Sequence, residues 1–245
     1  MMRALKTIAS VLPLLLLWAM AKFLFHVPDR YFPSFAQVIM GIHDVGSELL
    51  VDTAITFLRI CVGFFGGAIL GVAAALYCYR ASVLAVFMPS VNAIRAVPPV
   101  AMIPFFLLWF GFSEIGRLVL VFVGLGVNVF VAAAELMTTP RERDRILFMS
   151  FPTPARKLIW SFWLPRVLEG LLPTLRFGLA TVVGLVIVAE MLGAQSGLGY
   201  LIQTSYETFS LHVILLATAI LGIMTAVLDI TLQFSWRNIL YWAAR

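Results

Sequence analysis

The sequence predicts an all-α, polytopic membrane protein with about six transmembrane helices, on three observations. Hydrophobic residues make up 62% of the chain and charged residues only 12%. Mean hydropathy is +1.02. The apolar residues also fall in long unbroken runs instead of alternating. A water-soluble domain of 245 residues needs a charged surface that this composition does not supply, so lipid is the solvent for most of the chain. In lipid only helices and closed barrels satisfy every backbone group, and a barrel would show short alternating segments.

Runs of about 20 apolar residues fall at roughly 7–25, 53–79, 82–111, 116–138, 168–193 and 211–235. The first has the basic start of a signal peptide in Arg3 and Lys6. It is long, however, and the "FHVPDRYF" that follows has no small-residue cleavage site, so a retained spanning helix is expected. Residues 26–52 form a mixed, partly amphipathic connector, expected at one membrane surface. The third run is interrupted by "RAVPP". Pro98 and Pro99 remove two successive backbone donors and forbid a straight helix. That run therefore reads as a helix, a break near Val97 to Pro99, and a second half through "VAMIPFFLLWFG". The whole chain, 1–245, reads as one transmembrane domain.

Lysine and arginine positions set the orientation. With the N-terminus inside, the inner segments hold Arg3, Lys6, Arg80, Arg141, Arg143, Arg145, Arg156, Lys157, Arg166, Arg237 and Arg245. The outer segments hold only Arg30 and Arg117, against Asp29, Asp44, Glu48, Asp52, Glu114 and Glu207. Both termini are then cytoplasmic, and 139–167 forms the one large cytoplasmic loop. Basic loops of this kind account for the isoelectric point near 9.6 without nucleic-acid binding.

That loop is longer than a turn between two helices needs. Within "PTPARKLIWSFWLPRVLEG", 152–170, Leu158, Ile159 and Phe162 fall on one helical face, and "LP" closes the segment. Composition leaves two readings open: an interfacial helix on lipid headgroups, anchored by Trp160 and Trp163, or a docking surface for a cytoplasmic partner.

Ionisable groups inside spans are costly and mark functional positions. Arg59 lies near the outer end of the second run and Glu190 near the outer end of the fifth. They are expected to pair across a dimer or within the bundle, or to meet substrate. Arg95 precedes the proline break, where its guanidinium suits an anion. Asn128 lines the pathway or bonds a neighbouring helix. Arg176 and Lys22 are expected to snorkel, and Asp229 to cap or pair within the bundle. Cys61 and Cys78 are expected to be inert core residues.

Catalytic chemistry finds little support. His26, His43 and His212 lack metal-ligand spacing, so no metal site is expected. No G-x-x-x-x-G-K-[ST] is present. Ser196 and His212 are the only tempting nucleophile–base pair, and "AQSGLG" is not the strained elbow that such a serine needs. A secondary transporter driven by an ion gradient is the alternative. It would need no large basic docking loop and would more often show internal repeats, and none is seen.

Several segments together resemble one family. They are "LP" at Leu164 and Pro165, "GLLPTLRFGL", "VAE" at Val188 to Glu190, and "GLG" at Gly197 to Gly199. The stretch "IRAVPPVAMIPFFLLWFGFSEIGRLVLVF", 94–122, joins them, with "FPSFAQVI" and "ITFLRICVGFFGGAILGV" matching more loosely. In this order they resemble the permease subunits of bacterial ABC importers, and in particular the nitrate/sulfonate/taurine branch; the likeness spans nearly the whole chain. It implies a type I importer permease fold in the bacterial cytoplasmic membrane, paired as a homodimer. It also implies two ATP-binding subunits below, an extracytoplasmic binding protein above, and a small, anionic organic or inorganic nutrient as substrate. ATP and magnesium would sit on the partner, with no cofactor and no catalytic residue in this chain. Residues Pro152, Thr153, Pro154, Arg156, Lys157, Leu158, Ile159, Phe162, Trp163, Leu164 and Pro165 would form the ATPase-coupling loop. In it, Leu158, Ile159, Phe162 and Trp163 would pack and Arg156 and Lys157 would be rim charges. The sequence departs from the family in this loop. The usual glycine falls on Pro152 and the usual Glu-Ala-Ala near Ile146, Leu147 and Phe148, so the glutamate is absent and proline makes the turn.

Overall fold

The computed structural model describes residues 31–139 and 159–239, with isolated positions between 13 and 28. Among them every regular element is helical. Most of the first predicted span, 7–25, and most of the basic loop lie outside the described residues.

Helix α1 is Phe35–Val45. It starts where Ser34 and Gln37 cap each other: the Ser34 hydroxyl accepts from the Gln37 amide at 3.4 Å and the Gln37 carboxamide accepts from the Ser34 amide at 2.9 Å. This reciprocal box satisfies two otherwise orphaned donors. Gly46, at φ +64°, turns the chain into α2, Glu48–Arg80. Glu48 begins and Arg80 ends that helix, each matched in sign to the local end of the helix dipole. The helix begins five residues before the predicted run.

The third run behaves as its prolines require. Helix α3, Leu84–Ala96, stops at Val97, which is extended at ψ 123° as a residue before proline prefers. A 3₁₀ turn, Pro99–Met102, leads into α4, Ile103–Phe110. The two halves are bent by 85°. Gly111, at φ +66°, and Ser113, whose hydroxyl accepts from the Gly116 amide at 3.2 Å, start α5, Glu114–Thr138.

After the undescribed loop, a π-helical turn at Ile159–Trp163 runs into α6, Leu164–Gly170. Helix α7 is Leu172–Gly193, α8 is Leu198–Glu207 and α9 is Leu211–Ile239. Four of these helices, α2, α5, α7 and α9, are long and apolar enough to cross a membrane, and the bent α3–α4 pair makes a fifth candidate crossing. Helix α8 is too short to span and was not expected as an element.

Between helices that share an apolar solvent, close packing takes over from the hydrophobic drive, and small residues let backbones approach. The α2–α5 seam shows this. Gly63, Gly67 and Gly71 repeat every four residues on α2 and receive Val121, Leu125 and Val129 of α5. At Gly71 a β-carbon would stand 2.6 Å from the Gly126 carbonyl oxygen. Helix α7 closes the other side, where Gly178 receives Leu125 and Gly124 receives Leu185. Ile60, Leu125 and Leu185 at this centre are fully buried. The opposite face of α9, with Ile223, Val227, Ile230 and Phe234, is exposed and apolar, as a lipid-facing stripe is.

Replacing Gly71 by valine is expected to lower stability by about 1–3 kcal/mol through overpacking. Gly184→Ala serves as the control, because a β-carbon there meets nothing within 4 Å. Thermal unfolding in detergent checks the difference, and equal melting of the two variants would refute the seam.

Candidate functional site

One end of the bundle is stitched by a buried polar cluster. Asp52, Thr56 and Arg59 stand at i, i+4 and i+7 on one face of α2, and all three are buried. They meet Glu190, near the end of α7, which is 1% exposed. Arg59 Nη1 donates to Glu190 Oε1 at 2.7 Å and to the Ser196 carbonyl at 2.8 Å. Its Nε and Nη2 grip both oxygens of Glu114 on α5, the first at 3.0 Å. Thr56 donates to the Glu190 carboxylate at 3.0 Å and accepts from the Leu198 amide at 2.8 Å. The Gly199 amide donates to Glu190 Oε2 at 2.8 Å, and the Gly197 amide to Asp52 Oδ1 at 2.7 Å. Arg117 completes the set, donating to Glu114 at 3.0 Å and to the Gly193 carbonyl at 3.1 Å.

The "SGLG" segment between α7 and α8 reaches this carboxylate only because it carries glycine. Gly197 sits at φ +114°, and a β-carbon there would lie 2.5 Å from the Glu190 carboxyl carbon. At Gly199 it would lie 2.5 Å from the Ile187 carbonyl oxygen. The arrangement joins α2, α5, α7 and α8 through one desolvated charge pair, with no side chain poised for covalent chemistry. Of the predicted residues, Arg59 and Glu190 come together within one chain. Asp52, Thr56, Glu114 and Arg117 were not singled out, although the spacing Asp52–Thr56–Arg59 carries the signal.

The other end holds the described part of the segment expected to couple to an ATPase, residues 159–165. Ile159 and Trp163, four residues apart, turn into the chain's own core at 7% and 2% exposure. Trp163 meets the edge of Tyr79 at the end of α2, with ring centroids 5.1 Å apart. Trp160 points outward and is 64% exposed. Phe162, Leu164 and Pro165 are half-buried. The expectation that Ile159 and Trp163 face a partner does not fit this geometry: a five-residue aromatic turn lying against α2 buries its inward pair. Trp236 of α9 donates to the Leu168 carbonyl at 3.1 Å, tying α6 to the last helix. Pro152, Thr153, Pro154, Arg156, Lys157 and Leu158 lie outside the described residues.

The remaining polar candidates are spread out. Arg176 is paired with Asp229, Nε and Nη2 donating to the two carboxylate oxygens at 2.8 and 2.9 Å. Asn128 donates to the Gly124 carbonyl of its own helix at 2.8 Å. Arg95 is exposed in the last turn of α3, just before Pro98 and Pro99. His212 pairs with Asp44 at 3.0 Å. Among the described residues no group of three His, Cys, Asp or Glu is placed to hold a metal.

Among the described residues, a proline-broken span set among long apolar helices and joined by polar latches is the arrangement of a multi-pass membrane protein. The chain belongs to the family of binding-protein-dependent transport system inner membrane components, whose model matches residues 67–239. It is 26% identical to the taurine transport system permease protein TauC of Escherichia coli K12, over 77% of this chain and 69% of that protein. It is 28% identical to the putative aliphatic sulfonates transport permease protein SsuC of Bacillus subtilis 168, over 81% and 72%. A probable ABC transporter permease protein of Haemophilus influenzae is 26% identical over 96% and 95%. The fold is that of a chain of the MetNI methionine ABC transporter in inward-facing conformations: TM-score 0.61, 23% identity, 80% of this chain and 97% of that one. The protein is thus a multi-pass inner-membrane transport subunit and not an enzyme, which sets aside the secondary-transporter reading and the Ser196–His212 nucleophile–base reading.

Glu190→Ala would take one of the two carboxylate partners of Arg59 and leave the Thr56 hydroxyl and the Gly199 amide without their buried acceptor, and is expected to cost about 2–4 kcal/mol. Glu114→Ala, at a side chain 54% exposed, is expected to cost about 1 kcal/mol or less. Thermal unfolding of the two variants measures the ordering, and a reversed order would refute the buried pair as the latch.

Proposed function

We propose that this chain forms the membrane pathway of an ATP-driven importer for a small sulfonate-type anion. Two copies pair in the membrane, two ATP-binding subunits dock on the cytoplasmic side, and an extracytoplasmic binding protein delivers substrate from the other side. ATP and magnesium are held by the partner subunits. The observation that carries this reading is the joint likeness to taurine and aliphatic sulfonate permeases in a chain without a nucleotide-binding motif. The asymmetry of lysine and arginine supports cytoplasmic termini and a cytoplasmic 139–167 loop. Under this orientation the Glu190 cluster lies at the extracytoplasmic end and the aromatic turn at the ATPase end.

The same geometry supports a division of labour in the coupling segment. Trp163 anchors the turn to α2, and Trp160, facing outward, packs on the ATPase. An aromatic anchor in a partner's groove is the kind of side chain on which docking energy concentrates. When the ATP-binding subunits close, the turn and α6 move as one body and carry α7 and α9 with them.

Reconstitution tests the whole. Uptake of taurine or an alkanesulfonate into vesicles is expected only with ATP, its binding protein and the ATP-binding subunits. Uptake driven by a proton gradient alone would end this reading. Trp160→Asp is expected to weaken ATPase co-purification about tenfold or more while the permease stays inserted. Unchanged co-purification would remove Trp160 from the interface.

A further inference from the structure

The Arg176–Asp229 pair is charged in a place where charge needs a reason. Asp229 lies ten residues before the end of α9, about 15 Å from the nearer end at 1.5 Å per residue. Arg176 is in the second turn of α7. Their side chains remain 47% and 29% exposed. Both residues lie inside helices long and apolar enough to span, and charges within spans face a bundle interior or a water-filled cavity far more often than lipid tails. The pair closes one end of a groove between α7 and α9, with a cavity volume of about 720 Å³.

The rest of the groove is apolar. Phe177, Ala180 and Val183 of α7 and Leu221, Gly222 and Ala226 of α9 line it. Small residues keep it open. Thr218 and Thr225 also border it, but both hydroxyls donate to carbonyls of their own helix at 2.8 Å. The cationic end is therefore the groove's one strong donor. Arg176 uses Nε and Nη2 on Asp229, and a planar guanidinium fork suits a tetrahedral oxyanion as well as it suits a carboxylate. Asp229 also accepts from Gln233 at 2.7 Å. If the guanidinium turns to another anion, Asp229 keeps a hydrogen bond.

We propose that this groove is a binding station on the translocation pathway for a short-chain alkanesulfonate. Its sulfonate displaces Asp229 from Arg176, and its alkyl chain lies along Phe177, Val183 and Leu221. The proposal rests on the importer reading above and adds to it the residues that hold the substrate inside the membrane. Asp229 acts as the resident counter-ion: it keeps Arg176 neutralised when the station is empty and makes binding reversible. An amphiphilic ligand fits a groove with one charged end and an oily remainder; a compact inorganic anion would leave that remainder unused.

The test uses the assembled complex in proteoliposomes. Arg176→Gln is expected to lower butanesulfonate uptake about tenfold or more, the scale of a lost charge-assisted contact, with the ATP-binding subunits still co-purifying. The swapped variant Arg176→Asp with Asp229→Arg restores an ion pair but moves the cation to α9, and its uptake is expected to stay low. Recovery in the swap would show a purely structural bridge and overturn the station. A second measurement does not depend on turnover. With Cys61 and Cys78 replaced by alanine, Ala226→Cys is expected to react with a sulfonatoethyl methanethiosulfonate reagent, and butanesulfonate to slow that reaction. No reaction, as when a second copy or lipid covers the groove, or a reaction indifferent to butanesulfonate, would overturn the proposal. Absence of sulfonate uptake by the unmodified complex would sink the substrate reading itself, whereas native uptake with undiminished Arg176→Gln uptake would remove only the groove.

Discussion

A carboxylate that is 1% exposed inside a membrane bundle must be neutralised where it stands, and Glu190 is neutralised by Arg59. Everything near that end of the molecule follows from this pairing. The guanidinium has to arrive from α2 at the right height, which fixes the register of α2 against α7. Its remaining donors need acceptors, and Glu114 of α5 and the Ser196 carbonyl supply them. The lone pairs left on Glu190 need donors, and Thr56 and the Gly199 amide supply those. Removing one partner of such a set leaves buried donors or acceptors short of a partner, which makes the set cooperative.

The two ends of the bundle are held by different physics. Around Glu190 the joints are hydrogen bonds and ion pairs between four helices. Around Trp163 they include aromatic edges, buried aliphatic side chains and the hydrogen bond from Trp236 to α6. Between them runs the glycine seam of α2 and α5, where shape alone sets the approach. Under the proposed function, the polar end holds its helices in fixed register and the aromatic end is where the attached turn passes motion to α7 and α9.

Much of this was legible in the residues. Long apolar runs located α2, α5, α7 and α9, because hydropathy over about 20 residues is a strong signal in lipid. Pro98 and Pro99 announced the 85° bend, because a missing donor and a ring clash act locally. Arg59 and Glu190 stood out as charges at membrane depth. Other features were hidden. Helix α8 is ten residues long and reads as part of a polar connector. Glu114 looked like a loop acid at an outer surface; only the fold brings it to Arg59, 55 positions earlier in the chain. Helical spacing put Leu158, Ile159 and Phe162 on one face and the family resemblance added Trp163, but neither says which face turns toward Tyr79.

The tightness around Gly197 and Gly199 has a consequence at the level of the gene. Every codon for glycine begins with two guanines, and any single-base change that alters the amino acid adds at least a methyl group or stops the chain. At these two positions that added atom runs into Glu190 or the Ile187 carbonyl. Neither glycine therefore has a neutral neighbour among single-base amino-acid changes. Drift can rewrite the exposed apolar stripe of α9, while these two glycines stay fixed or the fold fails.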